Sequence, residues 1–109
     1  MTDDSQTDGR WVALIPVAEI EAEDVVAASH DGHDYAVYEC AGDYFVTDAI
    51  CTHAHASLCD GYLDGHTIEC PLHQGCFDIR SGAATGAPAT EALRTYACRV
   101  EGDMLHIRL

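Results

Sequence analysis

The sequence predicts an all-β protein, an antiparallel sandwich or barrel in one domain. Three observations predict it. The 109 residues are a single domain's worth. Apolar residues make up 48% and charged residues 22%, a globular rather than a disordered balance. Short β-branched and aromatic runs recur at close spacing with turn residues between them. Along the chain, residues 1–10 are an acidic, flexible tail and residues 11–109 the domain. Trp11-Val-Ala-Leu-Ile15 is the first apolar run, and it ends at Pro16. Residues 17–23, rich in Ala and Glu, predict the one helical turn. Residues 24–30 and 35–40 are strands about an Asp31-Gly32 turn signal. Residues 44–47 then pair with 35–40 across Ala41-Gly42-Asp43. Residues 65–70 and 77–79 are two further short strands. The Gly/Ala/Pro-rich stretch 81–90 is a loop. Residues 95–101 and 104–109 form a last hairpin across Gly102-Asp103.

The formal net charge is −14, from 19 acids and 5 arginines, with no lysine. Residues 1–50 carry 12 acids and one base (−11), and residues 51–109 carry 7 acids and 4 bases (−3). A nucleic-acid binder needs a basic footprint, and so does a protein that docks on anionic lipid, so both classes are excluded. The acidity is either a solvated face that keeps the chain soluble or a steering field for a basic partner. No apolar run approaches the roughly 18 residues of a spanning helix. Residues 1–9 lack the basic and apolar regions of an export signal. A soluble cytoplasmic protein is expected, and its six cysteines are then thiols or metal ligands rather than disulfides. There is no G-x-S-x-G, no phosphate-binding Gly loop and no Cys–His pair best explained as a nucleophile. The chain is short for an enzyme that encloses a substrate and ample for a carrier or binding module.

Two segments stand apart, Cys51-Thr-His53 and Cys70-Pro-Leu-His73, with sixteen residues between His53 and Cys70. Each offers one thiolate and one imidazole within a few residues, in turn-like sequence. Two such loops side by side supply four metal ligands. Structural zinc sites usually draw like ligands from each loop. One Cys and one His from each loop suit instead a two-iron cluster whose irons differ, with both thiolates on one and both imidazoles on the other. Unrelated loop side chains are the plainer alternative, which two matching pieces beside Pro and Gly make hard to sustain.

These residues, with Gln74-Gly75 and Phe77-Asp78 after them, resemble the two cluster-binding boxes of the Rieske [2Fe–2S] family. Asp60-Gly-Tyr-Leu63 and Gly86-Ala-Pro88 extend the resemblance to the small Rieske-type ferredoxins of bacterial aromatic-ring-hydroxylating dioxygenase systems. It covers about residues 11–109. It implies a Rieske-like antiparallel β sandwich with a small cluster-binding subdomain at about residues 51–77, and one [2Fe–2S] cluster. Cys51 and Cys70 would ligate one iron, His53 and His73 the other, and Pro88 would sit in a third loop over the cluster. The chain would be an electron-transport component, not itself an enzyme. It would pass single electrons from a ferredoxin reductase to a terminal oxygenase in aromatic-hydrocarbon catabolism. It has no room for the mononuclear iron site of the oxygenase itself.

The departures from related families are informative. Rieske proteins of cytochrome bc complexes carry an extra Cys in each box, joined as a disulfide. Ala56 and Leu72 stand at those positions here. Those high-potential proteins also place Ser and Tyr hydroxyls against cluster sulfur. Gly75 and Phe77 stand here, with no hydroxyl. Fewer hydrogen bonds to sulfur stabilise the reduced state less, so the expected potential lies at the low end of the Rieske range, roughly −150 rather than +300 mV.

Of the remaining candidates, Cys40 and Cys98 read as buried thiols in strands. Cys59 and Cys76 read as small packing residues beside the boxes, with a ligand or local redox role as the sharper alternative. His55 is the rival ligand to His53 and reads as a loop-surface residue. Ala54, Ala56, Leu72 and Gly75 suggest a neutral docking rim. Three other functions compete: the small Rieske subunit of a nitrite reductase, a zinc-stabilised interaction module, and an iron–sulfur redox sensor.

Overall fold

The computed structural model describes residues 10–52, 56–72, 74–87, 89 and 91–109. The acidic segment 1–9 lies outside the described residues. Among the described residues eleven strands form three antiparallel sheets. One contains β1 (Trp11–Pro16), β11 (Met104–Arg108) and β10 (Cys98–Glu101), in that order. The second has the order β2 (Val25–His30), β3 (His33–Cys40), β4 (Asp43–Asp48), β9 (Thr95–Tyr96). The third is smaller, with β5 (Tyr62–Asp64), β6 (Thr67–Glu69), β7 (Cys76–Asp78) and β8 (Ala84–Gly86) in sequence order.

The second sheet is the middle layer, and β3 shows why. Successive strand side chains point to opposite faces. Tyr35 and Val37 pack with Ile15, Leu105 and Ile107 on one side. Ala36 and Tyr38 pack with Ile68, Phe77 and Leu93 on the other. A strand buried on both faces needs a continuous apolar run, which Tyr35-Ala-Val-Tyr38 supplies. Thr47 is fully buried, yet its hydroxyl donates to the Asp48 carbonyl (2.9 Å) and accepts from the Tyr38 hydroxyl (2.8 Å).

The β2–β3 and β3–β4 hairpins turn at Asp31-Gly32 and Ala41-Gly42, all four residues at positive φ. Two-residue turns of that hand match strand twist. Ala41 is an unusual choice there, and carboxylates hold its turn. The Ala41 and Gly42 N–H groups donate to Glu23 (2.7 Å) and Glu39 (3.0 Å).

The structure corrects four expectations. The helical turn shrinks to a 3-10 turn at Val17–Glu19, because Ile20 is drawn into the core and its backbone becomes extended. The predicted strand 95–101 breaks at Ala97. Thr95 and Tyr96 pair with β4, whereas Cys98 onward pairs with β11, so one run serves two sheets. Tyr62–Asp64 is a strand the pattern did not announce, paired with β6 across Gly65-His66. The stretch 81–90 contains β8, whose Ala-Thr-Gly has little strand propensity and is held by pairing with β7.

The β7–β8 turn is organised by Asp78. Its carboxylate accepts from the Arg80 N–H (2.8 Å) and from the Arg80 guanidinium (2.8 and 3.1 Å). The Arg80 hydrogen bonds hold the Asp78 carboxyl down at about 2. An unfolded Asp titrates near 3.9, so its unfolded state takes up the proton first as pH falls. The Asp78 contribution is therefore complete above about pH 5 and lost between about pH 4 and 2. Acid unfolding of Asp78→Asn should show a shallower stability loss in that window than the parent chain. Identical slopes would contradict the assignment.

Candidate metal centre

Two loops of matched construction bring Cys51 and Cys70 into one buried cluster. The first leaves β4. Ala49 donates to the Asp34 carbonyl (3.2 Å), Ile50 bridges Ser57, Cys51 donates to Ala56 (2.9 Å) and Leu58 donates to Ala49 (2.7 Å). Ser57 then caps a 3-10 turn, Leu58–Asp60, by accepting from the Cys59 N–H. The second loop leaves β6. Glu69 pairs with Cys76, and Cys70 donates to the Gly75 carbonyl (2.8 Å). Each loop thus holds four residues between a Cys N–H and the carbonyl that closes it. Gln74 sits at φ +62 to make the second return.

This construction places Cys51 and Cys70 together. They are 3% and 0% exposed, in one apolar cluster with Ala56, Leu58, Phe77 and Ala89. Burial pushes the Cys70 thiol up, the neighbouring Cys51 thiol pushes it further, and the Leu72 N–H, donating to its sulfur, works the other way. The buried Cys70 thiol resists ionisation, because charge without a partner is costly in an apolar site. A soft cation between them reverses that cost and takes both as thiolates. Among the described residues no third His, Cys, Asp or Glu joins them in a metal-sized group. The donor set therefore fits a centre completed from undescribed positions. His53, His55, His73 and Pro88 all lie there, outside the described residues.

The other cysteines are free thiols; Cys40 is buried as expected, whereas Cys98 is only half-buried. Cys98 donates to the Tyr44 carbonyl (3.3 Å), and burial pushes it up to about 11. Cys76 donates to Gln74 (3.6 Å) and packs against Gly86, where a Cβ would crowd it. Cys59 lies 4.0 Å from the Tyr35 carbonyl. At the positions of the loop-bridging disulfide, Ala56 is buried and Leu72 is half exposed. The suggested neutral rim therefore needs correction. Ala56 and Gly75 face inward because their carbonyls close the loops, so Leu72 remains of the described residues, and Ile50, 45% exposed, adds to it. Sequence reasoning passed over Thr52. Its hydroxyl donates to the Glu91 carbonyl (2.8 Å), tying the first loop to the segment after β8. A polar residue between the two predicted ligand positions Cys51 and His53 was the available signal.

The family described as Rieske [2Fe-2S] domain matches residues 10–97. The chain belongs to this family, and its cofactor is the family's [2Fe–2S] cluster. The ferredoxin component of the naphthalene 1,2-dioxygenase system of Pseudomonas aeruginosa is 41% identical over 100 residues, covering 92% of this chain and 96% of the relative. The solved Sphingomonas yanoikuyae B1 ferredoxin superposes with a TM-score of 0.87 at 40% identity, over 92% of this chain and 99% of that one. A chain from the complex of reduced oxygenase and oxidized ferredoxin in carbazole 1,9a-dioxygenase gives a TM-score of 0.83 at 28% identity, over 90% and 92%. The small-subunit nitrite reductase structure shares the fold at 14% identity, with a TM-score of 0.76.

Proposed function

We propose that this chain is the ferredoxin of an aromatic-ring-hydroxylating dioxygenase system, passing single electrons from a ferredoxin reductase to a terminal oxygenase. The reading rests on the two buried, touching thiols of Cys51 and Cys70, presented by twin loops in a Rieske chain. Cys51 and Cys70 hold one iron, and His53 and His73 hold the other. When bound, the cluster supplies a one-electron couple. The chain's own residues do the rest. Phe77, Leu58 and Ala89 keep water from the sulfurs, and the Leu72 N–H donates to one of them. The carrier role proposed here is a cytoplasmic one. Among the described residues no helix is long and apolar enough to cross a membrane.

The acids concentrated before Cys51 steer encounter with a basic partner face, while exposed Leu72 and Ile50 make short-range contact. Reconstitution with a naphthalene-type reductase and oxygenase should support turnover. Stopped-flow association with the oxygenase should slow by about tenfold or more from low to high salt. Absence of turnover would reject the role, and a salt-independent rate would leave the acids as a solubility device.

The reading also includes a low potential. Phe77 is fully buried in the cluster that contains both thiols, and Gly75 closes the second loop. Hydroxyls at these places would donate toward sulfur. Gly75→Ser with Phe77→Tyr should raise the midpoint by about 60 mV for each hydrogen bond that favours the reduced state by about 1.4 kcal/mol. Potentiometric titration checks this. A parent midpoint well above zero, or no rise in the double variant, contradicts it.

A further inference from the structure

We propose that Asp48 is a positioning residue for the centre, pinning the root of the first ligand loop to the middle sheet. This rests on the Rieske reading above for what the loop presents. Asp48 is the last residue of β4, three positions before Cys51. Its N–H donates to the Arg94 carbonyl (3.0 Å), and its carbonyl accepts from the Thr47 hydroxyl (2.9 Å). Its carboxylate oxygen Oδ1 accepts from the Tyr96 hydroxyl of β9 (2.5 Å) and lies 2.7 Å from His33 Nε2 of β3. A carboxylate only accepts, so Nε2 is the nitrogen that carries the proton. One side chain therefore joins three neighbouring strands where the chain leaves the sheet.

Both donors are themselves held. The buried Tyr35 ring stands between them, 4.6 Å from the His33 ring and 5.0 Å from that of Tyr96. Burial and the Asp48 contact push the Tyr96 phenol up, which keeps its proton in place to donate. Tyr35 and Tyr96 pack on the opposite face of the middle sheet from Cys51 and Cys70, so the pin acts through the backbone. The next residue, Ala49, is buried, donates to the Asp34 carbonyl (3.2 Å) and accepts from Leu58 (2.7 Å) where the loop returns. The loop thus begins and closes at Ala49. Cys51 is two residues further on, in the same close-packed cluster, and close packing transmits a shift of the root to the thiol.

An ordinary hydrogen bond is worth about 2- to 10-fold in a local opening equilibrium. The test uses the full-length, cluster-loaded protein. Asp48→Ala removes the acceptor, Asp48→Asn keeps an accepting oxygen, and Tyr96→Phe removes one donor and keeps the ring. Gly102→Ala is the control for stability alone. It lies in the β10–β11 turn at φ +63, and an added Cβ meets nothing within 4 Å. In Tyr96→Phe, exchange of the Ala49, Cys51 and Leu58 amides and iron release to a chelator should quicken by about 2- to 10-fold. In Asp48→Ala, which loses both contacts, both rates should rise further, and the EPR spectrum of the reduced protein should change. Asp48→Asn should stay closer to the parent chain, and Gly102→Ala should leave the EPR spectrum unchanged. Should Asp48→Ala not fold, Tyr96→Phe still decides. Unchanged exchange at those three amides in Tyr96→Phe overturns the proposal. So does an equal effect on them in Gly102→Ala, or an Asp48→Asn chain as loose as Asp48→Ala. A parent chain purified without iron and acid-labile sulfide would overturn the Rieske reading instead, and the exchange comparison would still read the pin.

Discussion

His73→Ala should lose the cluster and, with it, electron transfer. Iron and acid-labile sulfide, two of each per chain in the parent, should fall to background, and oxygenase turnover should fall by more than about 100-fold. Losing a hydrogen-bond partner behind a metal ligand already costs about 10- to 100-fold, and losing the ligand itself removes more. The argument begins at the thiols. Cys51 and Cys70 are buried in contact, and only a bound cation makes two neighbouring buried thiolates tolerable. In the proposed ligand set, Cys51 and Cys70 supply half of the centre, and it would depend on the imidazoles of His53 and His73 for the other half. Cys98→Ser is the matching control. That thiol is occupied with the Tyr44 carbonyl, and its loss should leave the iron content unchanged. Full iron content and turnover in His73→Ala would remove His73 from the ligand set.

Gly82→Ala should be the most damaging substitution away from the centre. Gly82 lies at φ +80, where an L side chain costs about 1–2 kcal/mol. An added Cβ would also collide with the Leu93 carbonyl oxygen and meet the Thr95 side chain at 3.1 Å. The collision involves backbone that is itself fixed, because Leu93 donates to the Gly82 carbonyl and is buried in the core. Overpacking of this kind adds about 1–3 kcal/mol. A total of about 2–5 kcal/mol lowers the melting temperature by about 10–25 °C in a domain of this size. Gly32→Ala isolates the backbone part. Its φ is +81, but an added Cβ meets nothing within 4 Å, so only the smaller cost applies. Thermal unfolding of the two variants should differ clearly, and equal losses would refute the steric argument.

The same segment marks how far the fold is readable from the residues. The hairpins of β2, β3 and β4 are legible because Asp31-Gly32 and Ala41-Gly42 sit between runs of strand-forming residues. β8 is not legible, since Ala84-Thr-Gly86 becomes a strand only because β7 offers it a ladder. The break at Ala97 is equally hidden. Residues on both sides favour strands, and which sheet each joins is decided by tertiary pairing with Thr47 on one side and Ile107 on the other. The centre is more legible than the fold around it. Cys51 and Cys70 stand out because thiolate chemistry demands particular residue types at short spacing, and the structure brings those two together. The partner of Thr52 was not legible, because it is a backbone carbonyl at Glu91, which carries no sequence signature. The inward turn of Ala56 and Gly75 was hidden for the same reason.

In the proposed carrier role the acidity would act on encounter with partners. Eleven of the fourteen net negative charges precede Cys51, away from the ligand loops in sequence. A carrier meets one partner to load and another to unload, so a long-range field for encounter and a small uncharged contact at the loops serve it better than a tight interface.

The central claim is that two imidazoles and two thiolates divide between the irons. The most direct measurement is pulsed EPR of the dithionite-reduced protein, grown with nitrogen-15 histidine. The account predicts a reduced [2Fe–2S] signal with two directly coupled histidine nitrogens, both lost in His73→Ala. A reduced cluster with no coupled histidine nitrogen, the pattern of four-cysteine ligation, would contradict it.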